Sequence, residues 1–122
     1  MTVAYWVLAS LLAALYLYSG GKKVLQSRDQ LRPMMAWVDD LPFRVVRTVG
    51  VLEVLGAVAL IVPPLVGVAP WLALVAAIGF VLLQIGAIAL HVSRGEVRSA
   101  LAFNGTLLVL AGVTAWLATI WV

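Results

Sequence analysis

The chain has 122 residues, 65% of them hydrophobic and 11% charged, and a formal net charge of +3 at pH 7. Soluble domains have roughly 45–50% apolar and about 25% charged residues, so this composition excludes a soluble domain and indicates a single membrane domain over residues 1–122. The lack of cysteine and the single histidine exclude thiolate catalysis and cysteine- or histidine-rich metal sites. We therefore expect no metal and no nucleic-acid partner, and the lipid bilayer is the expected environment.

The first apolar segment, residues 2–21, contains no charged residue. At about 1.5 Å per residue it is long enough to cross roughly 30 Å of hydrocarbon. Its aromatic residues lie near both ends, as in the interfacial belts of membrane spans: Tyr5, Trp6, Tyr16 and Tyr18. The segment lacks the basic start of a secretion signal, so we predict a retained span that ends before Lys22.

Residues 24–42 form the polar region of the chain, yet they include several large apolar side chains. This mixture is typical of an amphipathic segment lying at the membrane surface, and we predict such a segment between the first and second spans. Asp39 and Asp40 followed by Pro42 indicate the start of the next helix. Acids suit the positive end of the helix dipole, and proline suits the first turn.

Three further apolar segments complete the chain, at residues 43–62, 70–91 and 99–121. Pro63 and Pro64 are predicted to end the second span, since proline removes a backbone donor inside a helix. Within hydrocarbon every backbone polar group needs an internal partner, and helices meet that need within one segment. We therefore predict an all-α, up-down-up-down four-helix membrane bundle.

The basic residues are confined to two of the connections. All eight lie at the connection between the first and second spans or at that between the third and fourth, and none lies at a terminus or at residues 63–70. Cytoplasmic loops carry the excess of lysine and arginine in multi-pass proteins. The sequence therefore predicts cytoplasmic connections and both termini on the outside.

Three of the spans carry one polar residue at a similar depth: Glu53, Gln84 and Asn104. Counted from the polar residue that borders each span, they lie roughly 9–11 Å below the cytoplasmic boundary. Gly50 and Gly56 flank Glu53 on the helix surface, so another helix can approach its carboxyl group closely. An ionisable group in hydrocarbon costs roughly 3 kcal/mol on insertion scales, so we expect Glu53 to face the bundle interior.

These residues predict a polar pocket in the cytoplasmic half of the bundle. Glu53 and His91 are the candidate catalytic residues. Glu53 would be the proton donor or acceptor, because a carboxyl group removed from water is suited to that task, and His91 would lie at the mouth. The candidate ligand-binding residues are the two amides, the cationic lip and the small residue beside the acid: Gln84, Asn104, Lys22 or Lys23, Arg47 and Gly50.

Simpler roles are open for several of these residues. Gln84 and Asn104 are also suited to hydrogen bonding between helices, which contributes roughly 1 kcal/mol or less per bond. His91 is also suited to the C-terminus of the third span, where a cation interacts favourably with the helix dipole. The tryptophans are better interpreted as interfacial anchors than as a ligand site.

Four stretches of the sequence resemble the DoxX-like family of small four-span bacterial integral membrane proteins: SGGKK, RTVGVLEVLGA, LIVPPLVGVAP and IGAIALHVSRGE. The positions that match the family's pattern are Gly50, Glu53, Gly56, His91 and the Arg94-Gly95-Glu96 turn. The resemblance implies a multi-pass protein of the bacterial inner membrane. It also implies a quinone-linked or other redox-associated role, with quinone or an isoprenoid-like lipid as the candidate ligand.

The leading hypothesis is therefore a quinone- or lipid-linked component of a redox system. Without cysteine, a flavin motif or a metal cluster, the chain could not carry electrons alone, so soluble redox proteins or membrane partners are expected. A second hypothesis is an acid–base enzyme (isomerase, hydrolase or cyclase) that acts on a hydrophobic substrate with Glu53 as acid or base. The sequence is also compatible with a proton-coupled transporter, formed as a homo-oligomer, and with a purely structural subunit.

Overall fold

The computed structural model describes residues 1–122, and almost the whole chain is helical. Four long helices account for the fold: α1 (Thr2–Leu25), α2 (Phe43–Val66), α3 (Leu72–Ser93) and α4 (Val97–Trp121). Each is long and apolar enough to cross a membrane. The all-α, four-helix membrane bundle predicted from the sequence is confirmed.

Helices that are neighbours in the chain are also neighbours in space. α1 packs along α2, α2 against α3, α3 against α4, and α4 returns to α1. Side chains from all four helices meet in one core, among them Leu12, Ala57, Ala77 and Ala111. Large apolar side chains such as Leu82 cover the outside of the bundle, as expected where lipid replaces water as the solvent.

α1 is longer than predicted from the sequence. It continues beyond residue 21 to Leu25, so Lys22 and Lys23 lie in its last turn. Cations are favourable there because the last carbonyl groups carry the negative end of the helix dipole. The two lysines therefore belong to the bundle rather than to the loop, and Lys23 is buried.

α2 does not end at Pro63 and Pro64 as predicted, but runs on to Val66. Both prolines lie in its last turn, where their carbonyl groups can still accept hydrogen bonds. The N–H of Gly67 donates to the carbonyl of Pro63 at 2.9 Å. Gly67 then ends the helix in the left-handed conformation, with φ at 75°, which glycine adopts without steric penalty.

The segment between α1 and α2 contains two short helices, Arg28–Leu31 and the 3-10 helix Ala36–Asp40. Three buried side chains of this segment form one cluster with Val46 at the start of α2: Leu31, Met35 and Val38. The segment thus covers the end of the bundle that carries the basic residues, called the charged end below.

The start of α2 differs from the prediction. Asp39 and Asp40 end the 3-10 helix instead of starting α2. Pro42 precedes the first residue of α2, Phe43, as its N-cap rather than lying in the first turn. The acids bind arginines instead: Asp39 accepts two hydrogen bonds from Arg32.

Candidate functional site

The buried charged groups of the protein form an ion pair between α1 and α2. Glu53 is 2% exposed and Lys23 is 6% exposed. Nζ of Lys23 donates to Oε1 of Glu53 at 2.5 Å and to Oγ of Ser19 at 2.7 Å. The carboxyl group thus faces the interior of the bundle, and a cation from a neighbouring helix balances its charge.

The antiparallel arrangement of α1 and α2 directs these two side chains toward each other. Helical side chains lean toward the N-terminus of their own helix. Lys23 lies in the last turn of α1, so its side chain leans into the bundle. Glu53 lies deeper, in α2, and leans back toward the charged end. The amine and the carboxyl group therefore meet at a depth between the backbone of Lys23 and that of Glu53.

Two glycines let the backbones of α1 and α2 approach closely at this point. A Cβ atom at Gly20 would lie 2.7 Å from the carbonyl oxygen of Gly50 and 2.9 Å from Cβ of Glu53. A Cβ atom at Gly50 would lie 2.6 Å from Cβ of Lys23. No larger residue fits at either position, so the two glycines set the spacing of the helices beside the ion pair.

The segment between α1 and α2 covers the ion pair at the charged end. Nζ of Lys23 lies 5.6 Å from the ring centroid of Trp37, within the range of a cation–π contact. Lys22, the other lysine considered for the cationic lip, lies over the ring of Tyr18 at 5.3 Å instead. The structure therefore brings Lys23, and not Lys22, to Glu53.

Arg47 and His91 lie at the charged end, outside the ion pair. The guanidinium of Arg47 lies 4.8 Å from the ring centroid of Phe43. The Nδ1–H of His91 donates to Oε1 of Glu96 at 2.8 Å, and Arg94 donates to the same oxygen at 3.2 Å. The hydrogen bond from His91, supported by Arg94, holds the pKa of Glu96 below its usual range. His91 is thus tied to the turn after α3.

A second buried polar contact joins α1 to α3. Gln84 is 4% exposed, and its Nε2 donates to the hydroxyl oxygen of Tyr16 at 2.6 Å. Its Oε1 is buried and has no hydrogen-bond partner. The ring of Tyr16 stacks on that of Phe80, with centroids 3.8 Å apart and planes inclined by 6°. Gln84 therefore holds an unsatisfied polar atom inside the bundle.

Asn104 lies in a separate environment on α4. It ends a turn of π-helix, Ala100–Asn104, and is 7% exposed. Turns of π-helix are rare in proteins, and those that do occur are often found at functional sites. Glu53 is hydrogen-bonded to Lys23, and Gln84 is hydrogen-bonded to Tyr16, both on α1. Asn104 takes part in neither contact.

An apolar groove lies between α2 and α3 on the outside of the bundle. Its volume is about 500 Å³. Its walls include small and large apolar residues of both helices: Leu52, Leu55, Gly56, Val75, Gly79 and Leu83. Phe80 lies at the inner side of the groove, because a Cβ atom at Gly56 would lie 2.6 Å from Cζ of Phe80. One ring therefore separates the groove from Tyr16.

The sequence analysis assigned Tyr16 to an interfacial belt, but the structure buries it in the core. It did not single out Trp37 or Phe80, and it left the choice between Lys22 and Lys23 undecided. The position of Tyr16 could have been predicted in part, because Tyr16 and Lys23 are seven residues apart and therefore lie on the same face of α1. Trp37 and Phe80 carry no comparable signal. Their positions depend on how the interfacial segment and α3 pack against α1.

The fold is that of a small four-span membrane protein, and in this chain a buried ion pair joins the first two spans. The model of the DoxX-like family matches residues 7–114. That match covers most of the chain, so the protein belongs to the DoxX-like family, as the resemblance in the sequence indicated. No curated protein and no solved structure is significantly similar to it.

Proposed function

We propose that the protein is a quinone- or lipid-linked, redox-associated component of the bacterial inner membrane, which binds a hydrophobic ligand and exchanges a proton through Glu53 and Lys23. The buried ion pair is the observation that carries this proposal. Each charge loses solvation energy worth several kcal/mol in a low-dielectric interior, which makes such a pair a poor device for stability alone. The contact between Gly20 and Gly50 already joins the two helices.

The two groups are placed to share one proton. Nζ of Lys23 and Oε1 of Glu53 are 2.5 Å apart, so a proton can move from the amine to the carboxyl oxygen without rearrangement of the helices. Oγ of Ser19 accepts a hydrogen bond from Nζ and holds the amine in place.

The groove between α2 and α3 fits the apolar part of the ligand. Its volume of about 500 Å³ lies within the range of roughly 300–1,000 Å³ that is usual for small-molecule sites. It opens toward the lipid, in which an isoprenoid or acyl chain is dissolved. A bound quinone would supply reversible electron and proton uptake, and the walls from Leu52 to Leu83 would hold its tail. Electrons would be exchanged with a partner protein.

The basic residues support a cytoplasmic position for the charged end. All eight lie at that end. By the positive-inside rule, both termini then lie outside, and the ion pair lies in the cytoplasmic half of the membrane. Proton exchange through Glu53 would therefore take place with the cytoplasm, past Trp37.

Titration of the purified protein in nanodiscs with a decyl-substituted quinone tests the proposal. Binding should raise the thermal unfolding temperature by mass action and change the number of bound protons, measured with a pH dye in weak buffer. The proton change should be absent in the Glu53→Gln/Lys23→Met double variant and preserved in Glu96→Gln, whose carboxyl group is far more exposed. A wild-type protein that responds by neither readout would contradict the proposal and favour a structural subunit.

A further inference from the structure

We propose that Tyr16 and Gln84 bind the polar head of a membrane-dissolved molecule, a flat ring that bears a hydroxyl group, and that Phe80 separates this site from the lipid-facing groove. The inference rests on the proposed function, because it names the chemical class of the ligand and the residues that hold its head. It adds an entry route between α2 and α3.

The unsatisfied amide of Gln84 is the first observation. A buried polar group without a hydrogen bond destabilises a protein, and in a bundle surrounded by lipid no bulk water replaces the missing partner. Oε1 of Gln84 is in this position. Turning the amide over would place its oxygen on the hydroxyl of Tyr16 and leave the two N–H donors unpaired instead. Either orientation of the amide thus leaves a polar atom available to a ligand.

A hydroxyl group can form a hydrogen bond with Gln84 in either orientation of the amide, because it can both donate and accept. It can donate to Oε1 of Gln84 as the amide stands, and it can accept from Nε2 if the amide is turned. The hydroxyl oxygen of Tyr16 accepts from Nε2 of Gln84, so its own proton is free to bind the same incoming oxygen. A carbonyl group could only accept.

The aromatic stack indicates a flat ring as the carrier of this hydroxyl. Tyr16 and Phe80 lie nearly parallel, with centroids 3.8 Å apart and planes inclined by 6°. The space between α1 and α3 at this level is therefore shaped for parallel rings. A ligand ring that displaces Phe80 would stack on Tyr16 with its hydroxyl group beside the amide.

The position of Phe80 also indicates how the head of the ligand would enter the bundle from the groove. Its ring lies at the inner side of the groove, against Gly56, and Gln84 follows it by one helical turn on the same face of α3. Rotation of this single side chain would open the groove to the amide. An apolar tail would remain in the groove, in contact with lipid, while the head enters the bundle.

Binding of two matched probes in phosphatidylcholine nanodiscs tests this site: radiolabelled 4-decylphenol and radiolabelled decylbenzene, with empty nanodiscs as the blank. Both probes have the same ring and tail, but decylbenzene has no hydroxyl group. We expect the wild type to bind the phenol about tenfold more tightly, the effect of one hydrogen bond to a buried, unsatisfied partner. Gln84→Met should abolish this preference. Gln26→Met is the control, since Oε1 of Gln26 also lacks a partner but lies at the end of α1.

A second measurement on the wild-type protein does not depend on the folding of any variant. With glutamine labelled at its side-chain carbonyl, the phenol should shift an infrared band of the amide, and decylbenzene should leave it in place. Equal affinity for the two probes, or a preference that survives Gln84→Met, would overturn the site while leaving the proposed function intact. Failure of both probes and of quinone to bind would overturn the site and the proposed function together.

Discussion

Lys23 and Glu53 are held by contacts on three sides, and each contact follows from a particular residue. Ser19 accepts from the amine, Gly20 leaves room for the carboxyl side chain, and the ring of Trp37 covers the charged end. The pair has no exposed face through which water could solvate it freely. The free energy of unfolding should therefore depend on whether both charges of the pair are present or only one of them.

Removing one partner of the pair should destabilise the protein more than removing both. Glu53→Gln or Lys23→Met leaves the other group buried without its counter-charge, at a cost of about 3–5 kcal/mol. The double variant leaves no buried charge, so we expect its free energy of unfolding to lie closer to that of the wild type. Reversible unfolding in mixed micelles measures all three.

Lys22→Met is the control for these variants, because Lys22 lies over Tyr18 and has no acidic partner. It should change the free energy of unfolding little. Single variants as stable as the double variant would contradict the predicted cost of leaving one buried charge unpaired.

Acid should loosen the turn that follows α3. The hydrogen bond from His91 and the contact with Arg94 hold the pKa of Glu96 below its ordinary value of 4.5. A lowered folded pKa contributes stability that is present above the ordinary value and is lost as pH falls through the folded value. Backbone hydrogen exchange at residues 93–99, corrected for its intrinsic rate, should therefore accelerate below about pH 4.5.

Glu96→Gln should remove this acid dependence, because an amide does not titrate. The variant should exchange faster than the wild type at pH 7 and resemble it at low pH. Identical pH profiles for the two proteins would rule out Glu96 as the group that holds the turn.

At the scale of the helices, the crossing of α1 and α2 positions the site. Gly20 and Gly50 face each other across this contact, and each leaves space that backbone or Cβ atoms of the other helix occupy. A methyl group at either position would force the two helices apart. The amine and the carboxyl group would then separate as well.

Gly20→Ala should destabilise the bundle, whereas Gly21→Ala should not. The added Cβ at position 20 meets the carbonyl oxygen of Gly50 at 2.7 Å, an overpacking that typically costs about 1–3 kcal/mol. A Cβ at position 21 meets no atom within 4 Å, and alanine is the better helix former by about 1 kcal/mol. Thermal unfolding of the two variants should therefore move in opposite directions. A Gly20→Ala protein as stable as Gly21→Ala would contradict the helix crossing.

The four spans follow from the sequence because their length and hydropathy are local properties. The ends of α1 and α2 could not be predicted in the same way. The last turn of a helix tolerates both charged residues and proline, so neither marks the residue at which the helix ends. Lys23 could be distinguished from Lys22 only once α1 was known to continue through both. The contact between Tyr16 and Gln84 depends on the register of two helices that are distant in the chain, which periodicity within one helix does not contain.

The whole molecule has a strongly asymmetric charge distribution. All eight basic residues lie at one end of the bundle, and the turn between α2 and α3 and both termini lack basic side chains. Four of the five acidic residues lie at the same end and pair with arginine or histidine there: Asp29, Asp39, Asp40 and Glu96. The positive-inside rule turns this asymmetry into a prediction of orientation.

Single cysteines should reveal that orientation, since the chain has no cysteine of its own. Ser93 lies at the charged end and Thr119 at the other, and both are exposed. In intact cells, a membrane-impermeant maleimide should label Thr119→Cys and should label Ser93→Cys only after the membrane is disrupted. The reverse pattern would place the charged end outside.

We propose that the buried Lys23–Glu53 pair takes up or releases a proton when a hydrophobic ligand binds. The infrared difference spectrum between ligand-free and quinone-bound protein, with glutamate labelled at its side-chain carboxyl carbon, measures this proton exchange. We predict a carboxyl band that changes on binding in the wild type and is missing in the Glu53→Gln/Lys23→Met double variant. A spectrum without any glutamate band, or a band that persists in the double variant, would contradict the claim.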